Sequence, residues 1–115
     1  MLIKKYLSIN PMRLYMAQQE YGIRRLVLDV LKPHRPSIVD VALRLSRIKG
    51  VSGVNCILSE VDQETENIKV IVEGVNIDFE ELSNTLEDLG AVIHSVDGVV
   101  AGKKLVEDVE TPQDK

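Results

Sequence analysis

The chain is 115 residues long, enough for one domain that buries roughly 60–70% of the surface its unfolded form exposes. With no Trp, one Phe and three Tyr its core must be built from Val, Ile and Leu, and 18 Asp and Glu against 14 Lys and Arg give a net charge of −4 that argues against nucleic acid as a partner. A single cysteine, Cys56, excludes an internal disulfide and any multi-cysteine zinc knuckle, and no run of about 18 apolar residues is present to span a membrane.

Near the start, Lys4 and Lys5 precede Tyr6-Leu7-Ser8-Ile9-Asn10-Pro11, which polar residues and Pro11 break before it can serve as a secretory apolar region. Residues 1–21 therefore read as a loosely ordered N-terminal extension, with Met16 as an alternative start. The first strong element is Ile23 to Leu31, a strand ended by Lys32-Pro33-His34-Arg35-Pro36. Its two-residue period points Leu26, Leu28 and Val30 one way and Arg25, Val27, Asp29 and Leu31 the other.

Ser37 then caps a helix whose apolar positions Ile38, Val41, Ala42, Leu45 and Ile48 fall on one stripe, and Gly50 ends it. Val51 to Val61 forms a second strand, with Gly53 marking a bulge. Cys56 lies within it, among apolar neighbours, as a structural thiol rather than a nucleophile. A polar loop, Asp62 to Asn67, leads to a third strand in which Ile68, Val70 and Val72 alternate with Lys69, Ile71 and Glu73. Asp78 caps the second helix, with Glu81 three residues on as in a capping box, Phe79, Leu82, Leu86 and Leu89 as its stripe and Gly90 as its stop. Ala91 to Val106 is too long for one ordinary strand and must be interrupted at Asp97-Gly98, by a hairpin turn or by a bulge. The remainder, 108–115, reads as a frayed tail.

The order β-α-β-β-α-β specifies an α+β fold, a ferredoxin-like two-layer sandwich over residues 22–107 with two helices on one face of a four-stranded antiparallel sheet. Right-handed crossovers place strands one and three in the middle. The helix-covered face should hold Leu26, Leu28, Val30, Ile68, Val70 and Val72. Val27, Leu31 and Ile71 fall on the opposite face, too apolar a set to leave in water, so that face or its edge should form a homo-oligomer.

The segments 22–34 (GIRRLVLDVLKPH), 64–67 (ETEN), 92–97 (VIHSVD) and 99–104 (VVAGKK) closely resemble a largely archaeal family, domain-of-unknown-function family 211, over about Gly22 to Pro112. The resemblance implies a ferredoxin-like fold, a ring-like or other homo-oligomeric assembly, and an archaeal cytoplasm. It implies no activity, carries over no catalytic residues, and does not extend to residues 1–21.

Chemistry gathers best at one end of the sheet, where strand one ends, strand four begins and the loop between strands two and three turns. His34, His94 and the acidic loop residues Asp62, Glu64 and Glu66 converge there as candidate ligands of a divalent metal cation, imidazole and carboxylate together leaving its identity open. Ordinary solvated turns and surface histidines explain the same residues. Asp29, a carboxylate within a central strand, either pairs with Arg25 or Lys69, reaches across an oligomer interface, or holds a cation between subunits. There is no phosphate-binding glycine loop, nucleophile elbow or zinc-protease helix, so catalysis is disfavoured. His94, Ser95 and Asp97 do not make a triad, because alternation sends His94 and Ser95 to opposite faces. Two readings follow: a homo-oligomeric binding or structural module, with or without a cation, and a small-molecule sensor similar to the ACT regulatory domain, whose ligand would lie on Lys32 to Ser37. The stretch Ile48 to Val54 resembles the helix-to-strand turn of ACT and heavy-metal-associated domains, although the paired cysteines of the latter are absent.

Overall fold

The computed structural model describes residues 11–12 and 21–109. Most of the expected N-terminal extension, and the tail from residue 110, lie outside the described residues. The elements are β1 (Ile23–Pro33), α1 (Ile38–Leu45), β2 (Val51–Val61), β3 (Thr65–Gly74), α2 (Phe79–Asp88) and β4 (Val92–Ala101). The strands form one sheet in the order β2-β3-β1-β4, every neighbouring pair antiparallel. This is the ferredoxin-like α+β sandwich.

Its core follows from the alternation in β1 and β3. Leu26, Leu28 and Val30 stand opposite Val72, Val70 and Ile68, and all six are buried with Val41 and Leu45 of α1 and Leu82 and Leu86 of α2. Both helices start where their caps require. The Ser37 hydroxyl accepts from the Asp40 N–H at 3.3 Å, and Asp78 accepts from the Glu81 N–H at 3.0 Å.

Four boundaries differ from the sequence reading, the first being that β1 runs on through Lys32 to Pro33 instead of ending at Leu31, because both residues still pair with β3. α1 stops at Leu45 rather than running on to Ile48, because the chain tightens there: the Arg47 and Ile48 N–H groups bond Arg44 and Leu45, three residues back, and the Ser46 hydroxyl donates to the Leu43 carbonyl. Ile48 still packs in the core. β3 begins at Thr65, not Ile68, since the Asp62 N–H closes the turn on the Thr65 carbonyl at 2.8 Å and Glu66 and Asn67 already pair with both flanking strands. The last segment is one strand, not a hairpin. Register shifts leave Asp97 unpaired between Gly98 and Val96, and His94 between Ser95 and Ile93, so bulges let β4 bend along β1. On β2 the extra residues are Ser52, beside Gly53, and Ser59, between Leu58 and Glu60.

One junction between connections is unusually close. Gly50, with φ of +90°, follows α1, and its carbonyl accepts the Val75 N–H at 2.8 Å just beyond β3. A side chain on Gly74 would collide with that same Gly50 oxygen.

Candidate functional site

At the end of the sheet where β1 stops, its alternation continues one step past Val30 and turns Lys32 into the covered face. The Lys32 side chain is fully buried. Its ammonium donates to the Pro33 carbonyl at 2.7 Å, to the His34 carbonyl at 3.4 Å and to Glu66 Oε1 at 2.8 Å. Glu66 lies directly across from Lys32 in the β1–β3 register and is in phase with Ile68, Val70 and Val72. Lys32 and Glu66 are thus the last rung of the core ladder, an ion pair where the rungs before it are aliphatic.

Glu66 Oε2 also meets His34 Nδ1 at 3.0 Å, while His34 Nε2 stands 2.9 Å from the Gln63 carbonyl. Both partners of the ring can only accept hydrogen bonds, so His34 satisfies them only as an imidazolium donating from both nitrogens. Its pKa is accordingly raised from the ordinary histidine value, first by the Glu66 carboxylate and then by the Gln63 carbonyl. The Glu66 carboxyl is held below its usual range by Lys32 and then His34. The three side chains clamp the end of β1 to the β2–β3 turn.

The signs of these shifts set a pH window. His34, with its folded pKa raised, contributes fully below the unfolded value of about 6.5 and loses that contribution as pH rises through the folded pKa. Glu66, with its folded pKa lowered, contributes fully above about 4.5 and loses it as pH falls through its folded value. Comparison of wild type with His34→Gln by thermal melting should therefore show the largest difference near pH 5.5 and a shrinking one toward pH 8.5. A difference that stays constant over that range means the ring is not held as an imidazolium.

The remaining candidates do not join this cluster. Asp62 and Glu64 lie in the exposed turn, and His94 is exposed at its bulge in β4. Among the described residues no three His, Cys, Asp or Glu side chains stand close enough to hold one metal ion. Asp29 accepts from Asn67 at 3.4 Å rather than from Arg25, because Arg25 is drawn to its direct cross-strand neighbour Glu73 at 2.9 Å and to Glu107 at 2.8 Å. The Ser95 hydroxyl donates to Asp97 at 2.8 Å. Cys56 is half-buried, and burial pushes its thiol up to about 11, so the thiolate is scarce at neutral pH.

The sequence reading placed Lys32 only in the lining of a sensor site and missed it as the buried partner of Glu66. The signal was present: the period that buries Leu28 and Val30 also buries residue 32, and a buried lysine demands a carboxylate.

Opposite the helices, the sheet's other face carries Val27, Leu31 and Ile71, all half-buried, with Ile57 and Val92 more exposed beside them. No helix among the described residues is long and apolar enough to cross a membrane.

Two comparisons place the chain among known proteins. An uncharacterized protein of the archaeon Methanocaldococcus jannaschii is 56% identical over 94 residues, 82% of this chain and 97% of that protein. The sequence model of DUF211, described as uncharacterized ArCR, matches residues 24–115. The chain therefore belongs to the DUF211 family.

Proposed function

We propose that this protein works in the cytoplasm as a homo-oligomeric binding or structural module. The observation that supports this reading is the sheet face away from the helices, where Val27, Leu31, Ile71, Ile57 and Val92 form an apolar surface around a few charges. A face of this composition favours burial against another protein surface. The edges add to it, with Leu58 and Val61 exposed on β2 and Val96 and Val99 on β4.

A divalent cation enters this reading between copies rather than within one chain. The carboxylate of Asp29 faces out from the sheet, whereas Glu66 and His34 already satisfy each other and an imidazolium offers a metal no lone pair. The sensor reading has less support. Of the residues expected to line its site, the Lys32 ammonium is buried and committed to Glu66 and two carbonyls.

Native mass spectrometry of the purified protein, untreated and after EDTA, tests both parts. The expected result is a mass that is a multiple of the single chain. A monomer at micromolar concentration overturns the module reading. Loss of bound mass or of subunits on chelation supports the bridging cation, and an unchanged spectrum removes it.

A further inference from the structure

Across the two central strands, Val27 stands opposite Ile71, with the Arg25 and Glu73 pair on one side of it and the Asp29 and Lys69 pair on the other. The four charges therefore alternate in sign around an apolar centre. Consider a two-fold axis lying between two stacked sheets and running across the strands at the Val27–Ile71 row. Each strand then lies on its own copy run backwards. Arg25 faces Asp29 of the second copy, Lys69 faces Glu73 of the second copy, and Val27 and Ile71 each face themselves. An isologous interface requires this self-complementarity.

The shape of β2 agrees with the same axis. Gly53 pairs with Glu73 and Ile57 with Lys69, so the operation lays Ile57 of one copy over Gly53 of the other. Ile57 is 45% exposed, and a side chain built on Gly53 would find no heavy atom within 4 Å. That space is a shallow depression lined by Gly53, Asn55, Ile71 and Glu73. An axis along the strands also opposes unlike charges, but it sets the apolar Ile57 over Ser95 and Val100 over Gly53. It also faces Lys69 with Asp29 and Glu73 with Arg25 of the second copy, so that exchanging charges at 69 and 73 between copies would not restore it.

The geometry points to a second copy of this chain as the occupant of the open sheet face, stacked through a two-fold at Val27 and Ile71. This inference rests on the homo-oligomeric reading, names its surface, and gives Asp29 the guanidinium of Arg25 in the second copy as its counter-ion in place of a bridging cation. Aligned packing of two sheets about 10 Å apart is a common arrangement for such faces. Arg25 can make the new contact because its second carboxylate, Glu107, is 70% exposed and follows β4 on a segment without regular structure.

Charge reversal with mixing tests it. Lys69→Glu sets a new carboxylate against Glu73 of the second copy, and Glu73→Lys sets a new ammonium against Lys69 of the second copy, so each variant alone should show half the subunit number of wild type by light scattering. Mixed in equal amounts, the two variants present unlike charges at both contacts and should recover the wild-type mass. Either variant retaining the wild-type mass overturns this interface while the oligomeric reading stands. Halved masses that do not recover on mixing overturn the proposed axis. A monomeric wild type instead removes the oligomeric reading itself. Circular dichroism checks that both variants fold, as substitutions at the exposed Lys69 and the 46% exposed Glu73 side chain should allow.

Discussion

Glu66→Gln is expected to lower the melting temperature by about 10 °C or more, a large effect for one substitution that removes no bulk. The loss is carried by Lys32. Its ammonium is fully buried, and of the three groups it bonds Glu66 alone is negatively charged, the others being the Pro33 and His34 carbonyls. A lysine charge left buried without its counter-ion costs on the order of 3 kcal/mol, and each kcal/mol moves the melting temperature of a domain this size by about 4–8 °C. His34 suffers as well, since its Nδ1 loses the carboxylate that holds the imidazolium.

The control is the double variant Lys32→Met with Glu66→Leu, which removes both charges and keeps apolar volume on the covered face. Well-packed apolar replacements of a buried ion pair are often neutral or stabilising, so the double variant should melt well above Glu66→Gln. Thermal denaturation by circular dichroism reads both. If Glu66→Gln melts within about 2 °C of wild type, the buried charge is not what closes this end of the sheet. The contrast also separates two roles for the cluster. A purely structural rung tolerates the apolar exchange, whereas a rung retained for the pH response of His34 loses that response in the double variant while keeping its stability.

The central strands were legible because a covered sheet face needs strict alternation. Leu26, Leu28 and Val30 and their partners Val72, Val70 and Ile68 carry that pattern with no exception. Helix starts were legible because Ser37 and Asp78 have side chains that accept from the first-turn N–H groups. The start of β3 was not, since Thr65, Glu66 and Asn67 look like loop residues until the buried cation that Glu66 answers is known. Register defects were hidden for a related reason. Hydrophobic pattern assigns a face, but whether Asp97-Gly98 turns the chain or bulges depends on whether β1 needs a partner along its whole length, which is a property of the assembled sheet. Of the proposed metal ligands, only His34 and Glu66 come together. Sequence placed them at one end of the sheet, but the hydrogen bonds that use both ring nitrogens are a matter of side-chain geometry.

Gly74→Ala is the second substitution with a large expected effect. The added methyl would run into the carbonyl oxygen of Gly50, and that oxygen is fixed by the Val75 N–H at 2.8 Å, so no side-chain rotation relieves the contact. Either the end of β3 or the turn after α1 must move. The turn has little freedom, because Gly50 is itself in the left-handed region and the Lys49 carbonyl accepts the Asp78 N–H at 3.2 Å, which positions the start of α2. Overpacking against side chains costs about 1–3 kcal/mol, and a fixed backbone oxygen puts this site at the upper end, or roughly 10–20 °C in melting temperature. Gly53→Ala supplies the contrast in the neighbouring strand. Its methyl meets nothing within 4 Å in the single chain, and at a compatible backbone position an alanine gains about 0.4–1 kcal/mol by restricting the unfolded state. Measured in the Lys69→Glu background, where the open face is not stacked on a second copy, Gly53→Ala should melt at or slightly above its parent while Gly74→Ala melts far below. Equal melting temperatures for the two would mean that the approach of Gly74 to Gly50 relaxes in solution and that the junction between α1, β3 and α2 is not a rigid support for the sheet.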